Sequence, residues 1–354
     1  MPIEVHPIAA RRIFRLAFVT AFALWLSQTI SWGLSFITPV LLSMLLALPL
    51  PGLRLKQGLI FILALVIPLW GATWLLLPVL THQPLVGMLL LIAGCFWCFY
   101  YSASGGSPIL GAFLTMGLAI VAAVGSDSVA AVIAVNNALT VNAVVAIVIL
   151  WLAYGLIPEK PMKAGPKAKA QAQPPSRQEA IRSAWRSTAI VLPVIVFFLL
   201  YAGSSSYLVV MIKVASMGQQ AENDKTKAVG KSLLMSTLIG GIGAVIMWNV
   251  MSAWPSLIML ILLVILSGLI MGRKIFQGPG MAAGADMWSY AFLTMLVIIV
   301  PSVLDGAAGD AAGAKFFDRI AMLGWATLYG VAAVYVFDAF WRGKAPQTLT
   351  DHGE

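Results

Sequence analysis

The sequence predicts an all-α integral membrane protein of about twelve spanning helices, arranged as two parallel six-helix repeats with both termini in the cytoplasm. Three observations predict it: an apolar composition, a series of long uncharged runs, and a chain that resembles itself. Of the 354 residues, 60% are hydrophobic and 10% charged, and the mean hydropathy is +0.94. A soluble domain carries roughly a quarter charged residues, so most of this surface has to face lipid.

A spanning helix needs about 20 mainly apolar residues. Candidate spans fall at 13–31, 35–50, 57–80, 84–101, 108–126, 135–157, 184–202, 205–218, 230–251, 254–272, 287–304 and 319–341. The alternating ten-residue segments of a membrane barrel do not occur. Arg11, Arg12 and Arg15 precede the first run. That run is longer than a signal-peptide core and lacks a small-residue cleavage site, so it is expected to stay as a helix.

The cations set the orientation. With the N-terminus inside, 19 of the 22 Lys and Arg residues fall on one side, in the entry, the even-numbered loops, the central linker and the tail. The proposed outer loops hold Lys315 and Arg319 beside Asp127, Asp305, Asp310 and Asp318. The positive-inside rule places both ends in the cytoplasm. The formal charge of +9 is therefore a topology signal and does not indicate a nucleic-acid partner.

The self-resemblance is local but ordered. AFLTMGLAIV (112–121) and AFLTMLVIIV (291–300) agree at seven of ten positions, 179 residues apart. Arg15 and Arg186, Pro84 and Pro255, and Met88 and Met259 are each separated by 171, and Gly58 and Gly230 by 172. About eight extra residues near QGPGMAAGA (277–285) account for the change of offset. The expected organisation is a first membrane repeat over 1–157, a flexible linker over 158–183, a second repeat over 184–341 and a tail over 342–354. Six is an even number, so the repeats are related by an axis along the membrane normal, an arrangement used by secondary transporters.

Short or interrupted spans at matching places in the two halves point to a binding site. The second span carries Pro39 and ends at Pro49 and Pro51; the eighth has Lys213 at its middle. A central lysine costs about 2.5–3.5 kcal/mol on insertion scales. It either meets an anionic substrate or snorkels to the interface. Asp286, opening span eleven, is a proton carrier, a partner for Lys213, or a helix-capping carboxylate. Trp288 and Tyr290 stack on an aromatic ligand or belong to the interfacial belt. Asp127 and Asp305 are candidate proton acceptors at the outer mouth, with His82 a further titratable group there. Asn136, Asn137 and Asn142 near the start of span six, and Gln28 in span one, are amides of the kind that join neighbouring helices. Cys95 and Cys98 lie inside an apolar span, where packing is their expected role. No metal ligand set, nucleophile elbow, Walker motif or carboxylate cluster is present, so no enzyme, metal or cofactor is expected.

Taken together, the two-times-six pattern, the basic entry and the polar linker resemble the fusaric acid resistance and aromatic acid exporter superfamily. In the second half VASMGQQ (214–220), GKSLLMSTLIGGIGA (230–244), GRKIFQGPG (272–280) and the AFLTM run look like a bacterial branch of it that is described mainly as a domain of unknown function. The resemblance implies a bacterial inner-membrane exporter of aromatic carboxylic acids or related toxic compounds, driven by the proton gradient. It also implies a periplasmic adaptor of the membrane-fusion type, an outer-membrane channel in some relatives, and a homodimer. Many relatives carry a soluble domain where this chain has only a linker. The same superfamily is similar to plant malate channels, so a passive anion channel is the alternative transport reading. A non-transporting scaffold and a membrane enzyme acting on lipid are the alternatives from other classes.

Overall fold

A backbone in lipid has to satisfy its hydrogen bonds within its own segment, so uncharged apolar runs become helices. The computed structural model describes residues 6–48, 54–125, 128–158, 176–200, 228–278, 280–306 and 312–342. Helix α1 (Pro7–Phe14) runs through one π-helical turn, Arg15–Val19, into α2 (Thr20–Ile30). Then follow α3 (Ile37–Leu46), α4 (Leu55–His82), α5 (Pro84–Ala103), α6 (Pro108–Gly125), α7 (Val129–Leu156) and α8 (Arg177–Leu200). After the next undescribed stretch come α9 (Ala228–Ala253) and α10 (Leu257–Ile275), a hairpin of strands β1 (Phe276–Gln277) and β2 (Gly280–Met281), α11 (Ala285–Gly306) and α12 (Ala312–Arg342). The hairpin is the one departure from an all-α architecture among the described residues.

Counting Pro7–Ile30 as one, eight of the described helices are long and apolar enough to cross a membrane, which makes this a multi-pass membrane protein. Ile37–Leu46 and Phe113–Gly125 are shorter apolar helices. The span expected at 205–218 lies outside the described residues.

Local chemistry sets the helix ends, and it moves several of them from where hydropathy alone puts them. Ser128 accepts the Ala131 N–H at 3.1 Å and starts α7 six residues before position 135. Ser176 and Glu179 form a capping box, with the Ser176 N–H on Glu179 Oε2 (3.0 Å) and the Glu179 N–H on Ser176 Oγ (3.3 Å). Helix α8 therefore begins inside the stretch read as linker. Helix α12 begins at Ala312, which puts Lys315 and Arg319 on a helix instead of in a loop. Helix α3 has ten residues, about 15 Å at the helical rise, roughly half the hydrocarbon thickness.

Helix α4 packs on α5, α6 and α7, and α9 packs on α10, α11 and α12. The closest crossings use glycine. A Cβ on Gly117 of α6 would stand 3.2 Å from the Leu69 nitrogen of α4, and one on Gly240 of α9 would stand 2.6 Å from the Ala291 carbonyl of α11. The threonines of the two AFLTM runs are both buried and bond back along their helices, Thr115 to the Gly111 carbonyl (2.9 Å) and Thr294 to that of Tyr290 (2.7 Å). Further contacts join the N-terminal helices to the C-terminal ones: α1–α2 against α10, α5 and α6 against α8, and α3 against α11. In the first, Gly268 and Gly272 of α10 face Ala17 and Ile13, a small-xxx-small pattern that lets backbones approach.

Candidate functional site

The site begins with a break in the chain. Helix α2 ends at Ile30 on a left-handed Ser31 (φ 56°), and Leu34 is left-handed too (φ 52°), before α3 resumes at Ile37. Non-glycine residues in this region cost on the order of 1–2 kcal/mol each. What holds them is Asn142, fully buried on α7 and 104 to 110 residues away in sequence. Its Oδ1 accepts from Trp32 Nε1 (3.0 Å), the Thr38 N–H (3.1 Å) and Thr38 Oγ1 (2.6 Å). Its Nδ2 donates to the carbonyls of Gly33 (3.0 Å) and Ala138 (2.7 Å). Asn142 is the fourteenth of the 28 residues of α7. Any window of about 20 residues along α7, the length that crosses a bilayer, contains it. The irregular connection 31–36 therefore reaches hydrocarbon depth, where backbone of this kind persists only when buried in protein or facing a cavity.

A cavity lies beside the break. Gln28, on the last turn of α2, approaches Ser35 Oγ at 3.5 Å and lines a space of about 570 Å³. The other walls come from α9, α10 and α11, including Trp248, Ser252, Ser256 and Val303. Trp248 stacks on the buried Phe316 of α12, ring centroids 4.6 Å apart, which fixes its plane. Ser256 caps α10, accepting the Met259 N–H at 3.2 Å, so the positive end of a helix dipole opens at the wall. An apolar space with a few placed polar groups is the ordinary form of a small-molecule site. A second space of about 540 Å³ lies between α8 and α12, lined by apolar and aromatic side chains. The one hydroxyl among its described lining residues, Tyr329, is turned to the Ala189 carbonyl at 3.3 Å.

The residues singled out from the sequence are distributed as follows. Lys213 and Asp127 lie outside the described residues. Pro39 is buried in the first turn of α3. A proline costs no helical bond there, so it helps start the helix, and the interruption lies before it at 31–36. Asp286 is exposed in the first turn of α11, where the helix dipole favours a carboxylate. Trp288 and Tyr290 are half-buried near the same helix start, and Lys274 Nζ stands 5.9 Å from the Trp288 ring centre. Neither ring lines either of these two cavities. Asp305 belongs to the last turn of α11, following the cavity residues Val303 and Leu304. His82 is exposed at the end of α4, its Nδ1 2.9 Å from the Pro78 carbonyl. Cys95 and Cys98 are buried in α5.

Sequence reasoning put Asn142 near the start of its helix and did not single out Trp248 or Ser252. The usable signal was Asn142 itself, an amide amid apolar neighbours, together with the Trp32-Gly33 pair. Asn136 does the simpler job expected of it, donating to Thr73 Oγ1 at 2.7 Å and so joining α7 to α4.

With this geometry established, the comparisons add one family. The model described as "Protein of unknown function (DUF2955)" matches residues 12–153. No curated protein and no solved structure matches the chain.

Proposed function

We propose that this chain is a bacterial inner-membrane efflux transporter that exports aromatic carboxylic acids or related toxic compounds on the proton gradient. In this reading it consists of two parallel six-span repeats with cytoplasmic ends. The helix contacts support the repeat. If α4 to α7 correspond to α9 to α12, each pairing within the first set has its counterpart in the second. The α1–α2 contact with α10 likewise answers that of α8 with α5. The family match agrees in extent, ending at residue 153, near the end of α7.

The observation that carries the transport reading is the break at 31–36 beside the Gln28 cavity. Transporters place substrate where discontinuous helices of one repeat meet the other, near mid-membrane. The cavity takes one wall from α2, beside the break, and the rest from α9 to α11, so a discontinuous helix of one half meets the other half there. In the mechanism we assign, the substrate ring lies against Trp248. Its carboxylate meets the α10 N-terminus. Lys213, outside the described residues, is the anion-binding cation that the sequence singles out. Asp305, Asp127 and Asp286 are the candidate proton carriers. The adaptor and outer-membrane channel implied by the resemblance belong to the same proposal.

Efflux of 4-hydroxybenzoate from preloaded cells tests the assignment. Trp248→Ala is expected to slow it about two- to tenfold, the worth of a ring–ring contact, and Lys213→Ala to abolish it, with both proteins present in the membrane at wild-type levels. Normal export by both variants would remove the cavity and the lysine from the pathway.

A further inference from the structure

The hairpin between α10 and α11 has no counterpart between α5 and α6. There the four residues 104–107 suffice, turning on Gly105 (φ 95°). The longer link pairs Phe276 with Met281 and Gln277 with Gly280, turns at Gly278 (φ 57°), and is continued by the Ala282 N–H on the Ile275 carbonyl (2.9 Å). Although it sits in a short link between two helices, Phe276 is 3% exposed. The Arg12 guanidinium covers it, 5.9 Å from the ring centre, and Arg12 is itself 5% exposed. Its neighbours hold α1 to the other side. Arg11 and Arg15 donate to the Pro158 and Ile157 carbonyls, at 3.4 and 3.3 Å, at the end of α7. Helix α1 thus bridges the end of α7 and the inserted hairpin at the basic end of the bundle.

Directly after α1 comes the π-helical turn Arg15–Val19, where the Arg15 N–H is shared between the Arg11 and Arg12 carbonyls. A π-turn carries one surplus residue. Moving that surplus along the helix turns the segment before it by about 100°, one residue's share of a helical turn. Such a rotation carries Arg12 off Phe276 and Ile13 off Gly272, while α2 stays packed on α10.

We propose that the hairpin and α1 form a latch that holds the basic end of the bundle closed, with the π-turn as its hinge. Releasing the latch opens that end and closes the Gln28 cavity at the other. The coupling of the two ends rests on the transport reading. The latch itself is read by accessibility, with no substrate involved.

The experiment uses the full chain in native membranes, with Cys95 and Cys98 replaced by alanine. Single cysteines at Ala285, 4% exposed beside the hairpin, or at Ser252, in the cavity wall, report labelling by an impermeant maleimide from either side. Phe276→Leu keeps the apolar volume and removes the face that holds the cation. Arg12→Gln removes the cation and leaves the ring. Each is expected to raise labelling at position 285 and lower it at 252, both by about threefold or more. Phe276→Tyr is expected to match the wild type. A rise at 285 with no change at 252 would mean that the hairpin is only local packing, and would overturn the latch, as would no change at either. Opposed changes at the two ends, in a protein that moves no aromatic acid, would leave the latch standing and sink the substrate assignment.

Discussion

Replacing Asn142 with alanine is expected to destabilise the protein more than any other single polar substitution among the described residues. Five hydrogen bonds are lost, and the Trp32 and Thr38 donors and the Gly33 carbonyl are stranded at hydrocarbon depth. Each buried group left without a partner costs about 1–3 kcal/mol. The left-handed residues Ser31 and Leu34 lose the contacts that hold them there. The sum, on the order of 3 kcal/mol or more, lowers the melting temperature in detergent by roughly 5–10 °C. Asn142→Asp keeps the acceptors but adds a charge at depth, so it is expected to fall between wild type and alanine only if the aspartate is protonated. Asn137, exposed one position from Asn136 on the same helix, is the control, and Asn137→Ala should shift melting by about 2 °C at most. Equal shifts for the two alanines would mean that Asn142 does not hold the break.

The second large effect is expected from Gly268→Leu. A Cβ at this position would stand 2.8 Å from the Ala17 Cα and 3.0 Å from its Cβ. The obstacle is backbone, so no rotamer change relieves it, and overpacking of this kind costs about 1–3 kcal/mol or more. The strain falls on the contact between α1–α2 and α10, which ties the N-terminal helices to the C-terminal ones. We expect loss of the monodisperse peak on size exclusion and cleavage by trypsin at sites protected in the wild type. Gly241, on α9, has nothing within 4 Å of its would-be Cβ. Gly241→Leu should therefore behave as wild type, and identical behaviour of the two variants would contradict the close approach at Gly268.

What the sequence made legible was whatever depends on short range. Uncharged runs give helices in lipid, and serines three residues ahead of a bonded N–H give helix starts. The stretch QGPGMAAGA, which stands out in the sequence, holds the turn and second strand of the hairpin. What stayed hidden depends on distance. The spans read at 13–31 and 35–50 leave a gap where the structure has the connection 31–36, but the residue that holds it, Asn142, sits on α7 more than 100 positions away. The hairpin has strands too short for any periodicity, and Arg12, its partner, lies 264 positions earlier. Trp248 is one apolar residue among many until its ring is seen stacked on Phe316 and facing a cavity. Trp288 and Tyr290 read from the sequence as rings for an aromatic ligand or for the interfacial belt. In the fold, Trp288 lies near Lys274 at the start of α11, away from the Gln28 cavity.

The most direct test of the central claim is transport by the purified protein in proteoliposomes. Movement of 4-hydroxybenzoate and fusaric acid is followed with and without an imposed pH gradient. Uphill movement that requires the gradient and falls with Trp248→Ala is the expected result. Downhill movement indifferent to the gradient would contradict proton coupling and make the protein a passive anion channel. No movement of any aromatic acid, with the protein folded and inserted, would contradict the transport function itself.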